Sequence, residues 1–297
     1  MRRQHLIVAR VGRNSLHPRW LDRARMRSWD LHLCPFEPLP AAAREDCSTS
    51  DVIVGPKWAG LRELLNRWDG WRGYQYIWLP DDDLLTDAPN IDRFFATAAT
   101  LGWDLCAPAL DETSYYAHYS TMRNRRCTAR RTGFVEIMAP CFSRAALGQL
   151  LPTLSESTTG WGWGLDSVWP KLLGYQNVGV IDATPVRHTR PVGAFRDAAL
   201  GQRVLAESDA LLARHDCQQV HRVFEALGPD LKPMTLDPAG LTALLVDGWQ
   251  YLLPANPALL PWMVQAQAPA GGWPAYPVAG TPSHAMPGDA LGLQGAA

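Results

Sequence analysis

The chain is 297 residues long, 47% hydrophobic and 19% charged, with a formal net charge of −1. That length suffices for a sizeable buried core, and the near-neutral balance excludes the global basic field of a nucleic-acid binder. No stretch reaches the about 20 apolar residues of a membrane span, and the apolar run after Arg2-Arg3 is too short for a secretory leader, so a cytoplasmic protein is expected, with peripheral membrane contact left open.

Taken in order, Leu6–Val11 reads as a buried strand closed by the turn Gly12-Arg13-Asn14-Ser15, and Trp29–Cys34 as a second strand. Asp51–Val54, closed by Gly55-Pro56, reads as a third. Lys57–Trp68 carries Trp58, Leu61, Leu64 and Leu65 at helical spacing. Tyr76-Ile77-Trp78-Leu79 is a further strand that runs through Pro80 into Asp81-Asp82-Asp83. Phe94–Leu101 then reads as a helix and Asp104–Ala107 as a strand. The alternation predicts an α/β fold with a mainly parallel central sheet. In such sheets ligands bind beyond the carboxyl ends of the strands, which is where Gly12-Arg13, Lys57 and the acidic triplet fall.

In an extended backbone Asp81 and Asp83 share a face and Asp82 points away. Paired carboxylates repel unless a cation neutralises them, and Mg²⁺ or Mn²⁺ is held by oxygen ligands of this kind together with substrate phosphates. A solvated acidic turn is the competing reading. Lys57 sits at a helix start, where the dipole prefers anions; a bound phosphate or a plain surface lysine would each account for it.

Arg123, Arg125, Arg126, Arg130 and Arg131 form the densest basic run. It reads either as a solvated loop or as a mobile loop closing over a diphosphate. Phe134–Met138 alternates around Glu136 as a strand, and Ser143 caps a following helix. In Thr159-Gly160-Trp161-Gly162-Trp163-Gly164-Leu165-Asp166 the glycines admit close backbone approach and the tryptophans give stacking faces. Asp166 is placed to N-cap a helix running to Leu173, and Asn177–Asp182 is another strand, followed by His188. Ala198–His215, Gln218–Leu227 and Leu241–Leu253 read as helices, and the Ala/Pro/Gly-rich segment from Gln265 as a disordered tail. The boundaries implied are 1–196 for the α/β domain, 197–264 for a helical extension and 265–297 for the tail. Six cysteines lack CxxC spacing, as expected of reduced thiols and not of a zinc site. Thirteen tryptophans suit a core or a stacking platform equally.

The blocks Tyr76–Leu84, Phe134–Pro140, Trp163–Asp166 and Asn177–Asp182, in that order and spacing, resemble the domain-of-unknown-function family numbered 707, over about Leu6 to Gly193. That family looks like glycosyltransferases of the GT-A fold, a single Rossmann-like α/β/α domain, here with C-terminal helices. The resemblance implies a nucleoside-diphosphate-sugar donor held through Mn²⁺ or Mg²⁺ at a DxD motif, and a glycan, lipid or protein acceptor. By the same resemblance Asp83 is the direct metal ligand, Asp81 faces the metal or ribose, and His188 is a late metal ligand. It also makes Asp166 the acceptor-side catalytic carboxylate. Arg13, Lys57, Arg125 and Arg126 are then candidates for donor binding, and Trp163 and Glu136 for acceptor binding. Where the family has Asp-Glu-Asp, this chain has Asp82 in the middle. The alternatives are a non-catalytic nucleotide-sugar or glycan-binding module, or another metal-dependent phosphate enzyme, a nucleotidyltransferase or phosphatase.

Overall fold

The computed structural model describes residues 3–22, 26–192 and 198–268. The elements in chain order are β1 (His5–Val11), α1 (His17–Trp20), β2 (Trp29–Pro35), β3 (Ser48–Thr49), α2 (Lys57–Arg67), β4 (Tyr76–Trp78) and β5 (Leu84–Leu85). There follow α3 (Ala88–Leu101), β6 (Leu105–Leu110), β7 (Ala129–Gly133), β8 (Cys141–Ser143), α4 (Arg144–Leu150), α5 (Leu165–Leu172) and β9 (Val178–His188). The chain continues through α6 (Ala198–Arg214), β10 (Val220–Leu227), α7 (Pro238–Trp249) and α8 (Leu259–Gln265).

One sheet runs β10-β7-β9-β6-β8-β4-β1-β2-β3, with β5 attached to β9 alone. β4, β1, β2 and β3 are mutually parallel, and β6 is parallel to β9. Because β8 is antiparallel to both β4 and β6, these two blocks point the same way. Among the described strands β8, β7 and the short β5 oppose the common direction, so the sheet is mostly parallel, as the alternation predicted.

Both faces are covered, which is why the central strands read as near-continuous apolar runs. All seven residues of β1 are buried. Ile7, Ala9 and Val11 point into the layer that holds Trp20, Phe94, Phe95 and Trp249. Leu6 and Val8 point into the layer that holds Leu61, Leu147, Val168 and Leu211. β4 obeys the same parity, with Trp78 on the first side and Ile77 and Leu79 on the second. Most tryptophans serve these cores: Trp20, Trp29, Trp58, Trp71, Trp78, Trp169 and Trp249 are all fully buried.

Four predicted elements differ. Asp51–Val54 is not a strand; the short edge strand is Ser48–Thr49, and the Ile53 and Gly55 carbonyls accept from the Arg10 guanidinium instead of from a ladder. Phe134–Met138 lies beyond β7 without strand structure, its Ile137 and Met138 carbonyls capturing the Lys57 ammonium. Gln218–Leu227 holds strand β10, not a helix. The cap of α5 is Gly164, with φ +96°, so Asp166 lies inside the first turn rather than at the cap. The expected tail from Gln265 overlaps the end of α8, and its residues 269–297 lie outside the described residues, as does the 196/197 boundary.

Candidate active site

The parity of β4 carries beyond its last hydrogen-bonded residue. Leu79 N–H donates to the Pro140 carbonyl and Asp81 N–H to the Met138 carbonyl, so the tract stays extended. Asp81 therefore keeps the side of Ile77 and Leu79, the side on which α2 packs. There the first residue of α2, Lys57, meets it: Nζ lies 2.6 Å from Asp81 Oδ1. The same ammonium donates to the Ile137 and Met138 carbonyls, each at 2.8 Å. All three donors of the ammonium are thus engaged. Burial pulls the Lys57 pKa down against the pull of Asp81, and burial raises that of Asp81 although Lys57 opposes it.

Asp83 is organised from the other end of the sheet. β5 pairs Leu84 with His188 and Leu85 with Arg187, and Thr189 donates from N and Oγ1 to the Asp83 carbonyl. This register brings His188 Nε2 to 3.3 Å from Asp83 Oδ2. His188 Nδ1 stands 2.7 Å from the Tyr115 carbonyl; a carbonyl only accepts, so Nδ1 carries the proton and Nε2 is the nitrogen turned to Asp83. Burial alone would depress His188, but the Asp83 carboxylate outweighs it and the imidazole pKa rises. Asp83 in turn falls below its ordinary range because His188 offsets the cost of burial. Its other oxygen, Oδ1, is buried without a hydrogen-bond partner among the described residues.

Asp82 and Asp83 lie in a turn and not in the extended strand expected of the triplet, and Asp82 has partners of its own. Its carboxylate accepts from Gly12 N–H at 2.9 Å and from Arg190 Nη1 at 3.2 Å. Arg190 also donates to the Asn14 carbonyl, so Asp82 ties the turn after β1 to the end of β9. Burial pushes its pKa up to about 6.

Two further carboxyls complete the cluster. Burial raises Glu136 to about 7, and the charges that act on it are His188, Asp166, Asp81 and Lys57; its Oε2 is buried without a partner among the described residues. Asp166 is 6% exposed, accepts from Ser167 Oγ at 3.2 Å and is raised by burial to about 7. Trp163 sits half-buried between Gly162 and Gly164, three residues before Asp166. At Gly162 only glycine fits: φ is +77° and a Cβ would lie 2.4 Å from the Trp58 ring.

The structure thus gathers Lys57, Asp81, Asp83, Glu136, Asp166 and His188 at the carboxyl ends of β4 and β9. Arg13, Arg125 and Arg126 have other partners. Arg13 pairs with Glu37, Arg125 with Glu112 and the Tyr251 ring, and Arg126 with Asp247 on α7. Nor is the basic run one mobile loop. Arg130 and Arg131 belong to β7, and Arg130 is fully buried in a two-pronged bond to Asp182 at 2.8 and 3.0 Å. Among the described residues no three His, Cys, Asp or Glu side chains are spaced to hold an ion by themselves. Sequence reasoning missed Arg190 and Glu207. For Glu207 a signal exists, since it shares the buried face of α6 with Val204, Ser208 and Leu211 at i, i+3, i+4 and i+7 spacing.

The family model described as "Protein of unknown function (DUF707)" matches residues 69–225, just over half of the chain. The matched segment contains every member of the cluster except Lys57. No curated protein matches the chain. Among solved structures, S. aureus TarS 1–349 in complex with UDP is similar at 8% identity and TM-score 0.46, covering 89% of this chain and 78% of that one. The same protein in complex with UDP-GlcNAc is similar at 9% identity and TM-score 0.45, covering 84% and 73%.

Proposed function

The chain belongs to the DUF707 family, and we propose that it is a glycosyltransferase that moves a sugar from a nucleoside-diphosphate-sugar donor to an acceptor hydroxyl. The observation that carries this reading is the clustering, at the carboxyl ends of the sheet, of the Asp81/Asp83 pair with two carboxyls, Glu136 and Asp166, whose pKa values lie near 7. A carboxylate pair suits a cation and a diphosphate. A buried carboxyl poised near neutrality suits proton transfer.

The donor set fits a hard divalent ion held by part of the protein. Asp83 offers a buried oxygen without a partner among the described residues, and the Tyr115 carbonyl fixes the tautomer that turns His188 Nε2 toward the same carboxylate. Asp83 and His188 would hold Mn²⁺ or Mg²⁺, whose remaining sites suit phosphate oxygens. Bound there, the ion supplies Lewis-acid stabilisation of the leaving diphosphate. Lys57 keeps Asp81 oriented and neutralised, which places it behind the donor site and not on a phosphate. Asp166 accepts the proton of the attacking acceptor hydroxyl as the new glycosidic bond forms and the bond from sugar to phosphate oxygen breaks. Trp163 and Glu136 line the acceptor side, one for stacking on a sugar face and one for hydrogen bonding. No helix among the described residues is long and apolar enough to cross a membrane, and all six cysteines are free thiols, which supports a cytoplasmic setting.

The test is a thermal-shift panel of uridine, guanosine and cytidine diphosphates with Mn²⁺ or Mg²⁺, followed by donor hydrolysis with the matching nucleotide sugars. One nucleotide should raise the melting temperature only with the metal present, and Asp83→Ala should abolish that rise. If none binds with either metal, the proposal falls.

A further inference from the structure

The helix that follows the α/β core holds a buried charge with no counter-ion among the described residues. Glu207 on α6 is 9% exposed, and its carboxylate accepts from Ser157 Oγ at 2.7 Å and Thr158 Oγ1 at 2.8 Å. It accepts also from Thr159 N–H at 2.6 Å and Thr159 Oγ1 at 2.8 Å. These four donors outweigh the cost of burial and hold the group below its ordinary range, as a carboxylate. All of them lie in one short loop. Ser157 Oγ passes the constraint on by accepting from Gly162 N–H at 2.9 Å.

That loop needs outside support. Gly160, Gly162 and Gly164 all have positive φ, so its sequence imposes little of its own shape. On one side α2 supports it: Trp58 N–H donates to the Gly160 carbonyl at 3.0 Å, and Ala59 and Trp58 fill the space beside Gly160 and Gly162. On the other side α6 closes it, with Ser208 against Gly164 and Glu207 bonded to Ser157, Thr158 and Thr159. The loop delivers Trp163 and then α5, whose first turn carries Asp166. An apolar residue at 207 would fill the same face of α6 but would leave these donors unanswered.

We infer that Glu207 is a positioning residue that fixes the Ser157–Trp163 loop, so that α6 completes the acceptor side of the site by setting Trp163 and Asp166. This rests on the proposed glycosyl transfer for its purpose, but its geometry can be tested without turnover.

The experiment uses the full chain with Glu207→Ala and Glu207→Gln. The glutamine amide keeps one oxygen for Thr159 N–H and the Thr158 hydroxyl, and its NH₂ can donate to the hydroxyl oxygens of Ser157 and Thr159. Hydrogen exchange over 157–164 should speed roughly tenfold or more in the alanine variant while β4 and β9 keep their protection. Carbodiimide labelling of Asp166 with glycine ethyl ester should rise several-fold in the alanine variant, and the glutamine variant should match the parent in both. The inference is overturned if alanine leaves the loop and Asp166 as protected as in the parent, or if glutamine fails to restore them. Should alanine prevent folding, a folded glutamine variant with parental exchange and labelling sustains it, and one with a loosened loop overturns it. Failure of every donor in the nucleotide panel would remove the transferase reading and leave these measurements to decide the anchor.

Discussion

Replacing Lys57 with methionine tests the core of the site. The change keeps most of the apolar stem and removes one ion pair at 2.6 Å together with two bonds to carbonyls. A hydrogen bond involving a charged group contributes about 1.5–3 kcal/mol, and stranding one member of a fully buried pair costs about 3–5 kcal/mol. Lys57 is only 14% exposed but Asp81 is 38% exposed, so water can take over part of the lysine's role at the carboxylate and the lower figures apply. A loss of about 2–4 kcal/mol follows, which for a chain of this size lowers the melting temperature by roughly 3–7 °C. The assay is thermal unfolding with and without millimolar Mn²⁺. Freed of its ammonium, Asp81 becomes available to the ion, so Mn²⁺ should raise the melting temperature of the variant more than that of the parent. A variant that melts within about 1 °C of the parent would refute the view of Lys57 as a clamp, and an equal Mn²⁺ response in both would refute its competition for Asp81.

Asp166→Asn should retain nucleotide binding and lose transfer, and α5 should stay folded because Gly164 makes the cap. Its stability should also depend differently on pH. The folded parent holds the Asp166 proton up to about pH 7 while the unfolded chain releases it near the usual carboxylate value, so this group's contribution to stability falls as pH rises between about 4 and 7. The asparagine variant lacks that decline, and its melting temperature should climb relative to the parent between about pH 5 and 7.5, read by scanning calorimetry. Asp182→Ala leaves Arg130 buried and unpaired and should cost about 3–5 kcal/mol in chemical denaturation.

The sheet was legible where burial on both faces wrote near-continuous apolar runs, in β1, β4 and β6, and where Trp29–Cys34 alternates, in β2. It was misread where another group took over the backbone. Arg10 claims the carbonyls near Ile53 and Lys57 those of Ile137 and Met138, so two convincing strand patterns have no ladder. β10 shows a different failure. Its register shifts between Val220 and Val223 and again between Val223 and Glu225, which breaks the two-residue alternation and leaves Val220, Val223, Ala226 and Leu227 buried at a spacing that imitates a helix. Within the site, the place of the acidic triplet at the end of an apolar strand followed from the sequence pattern, although Asp82 and Asp83 turn instead of continuing the expected alternation. The meeting of Asp83 with His188 did not, because it depends on the β5–β9 register. Neither did the commitment of Lys57 to Asp81, nor the attachment of Glu207 to a loop some fifty positions earlier.

The Lys57–Asp81 pair also has a meaning in time. A ribosome adds roughly 5–20 residues each second. Lys57 therefore exists before the carboxylates it meets, whereas His188 follows Asp83 by 105 positions, roughly five to twenty seconds at that pace. Asp81 thus finds its cation in the stretch of chain made before it, and Asp83 finds its own only in the stretch made after it.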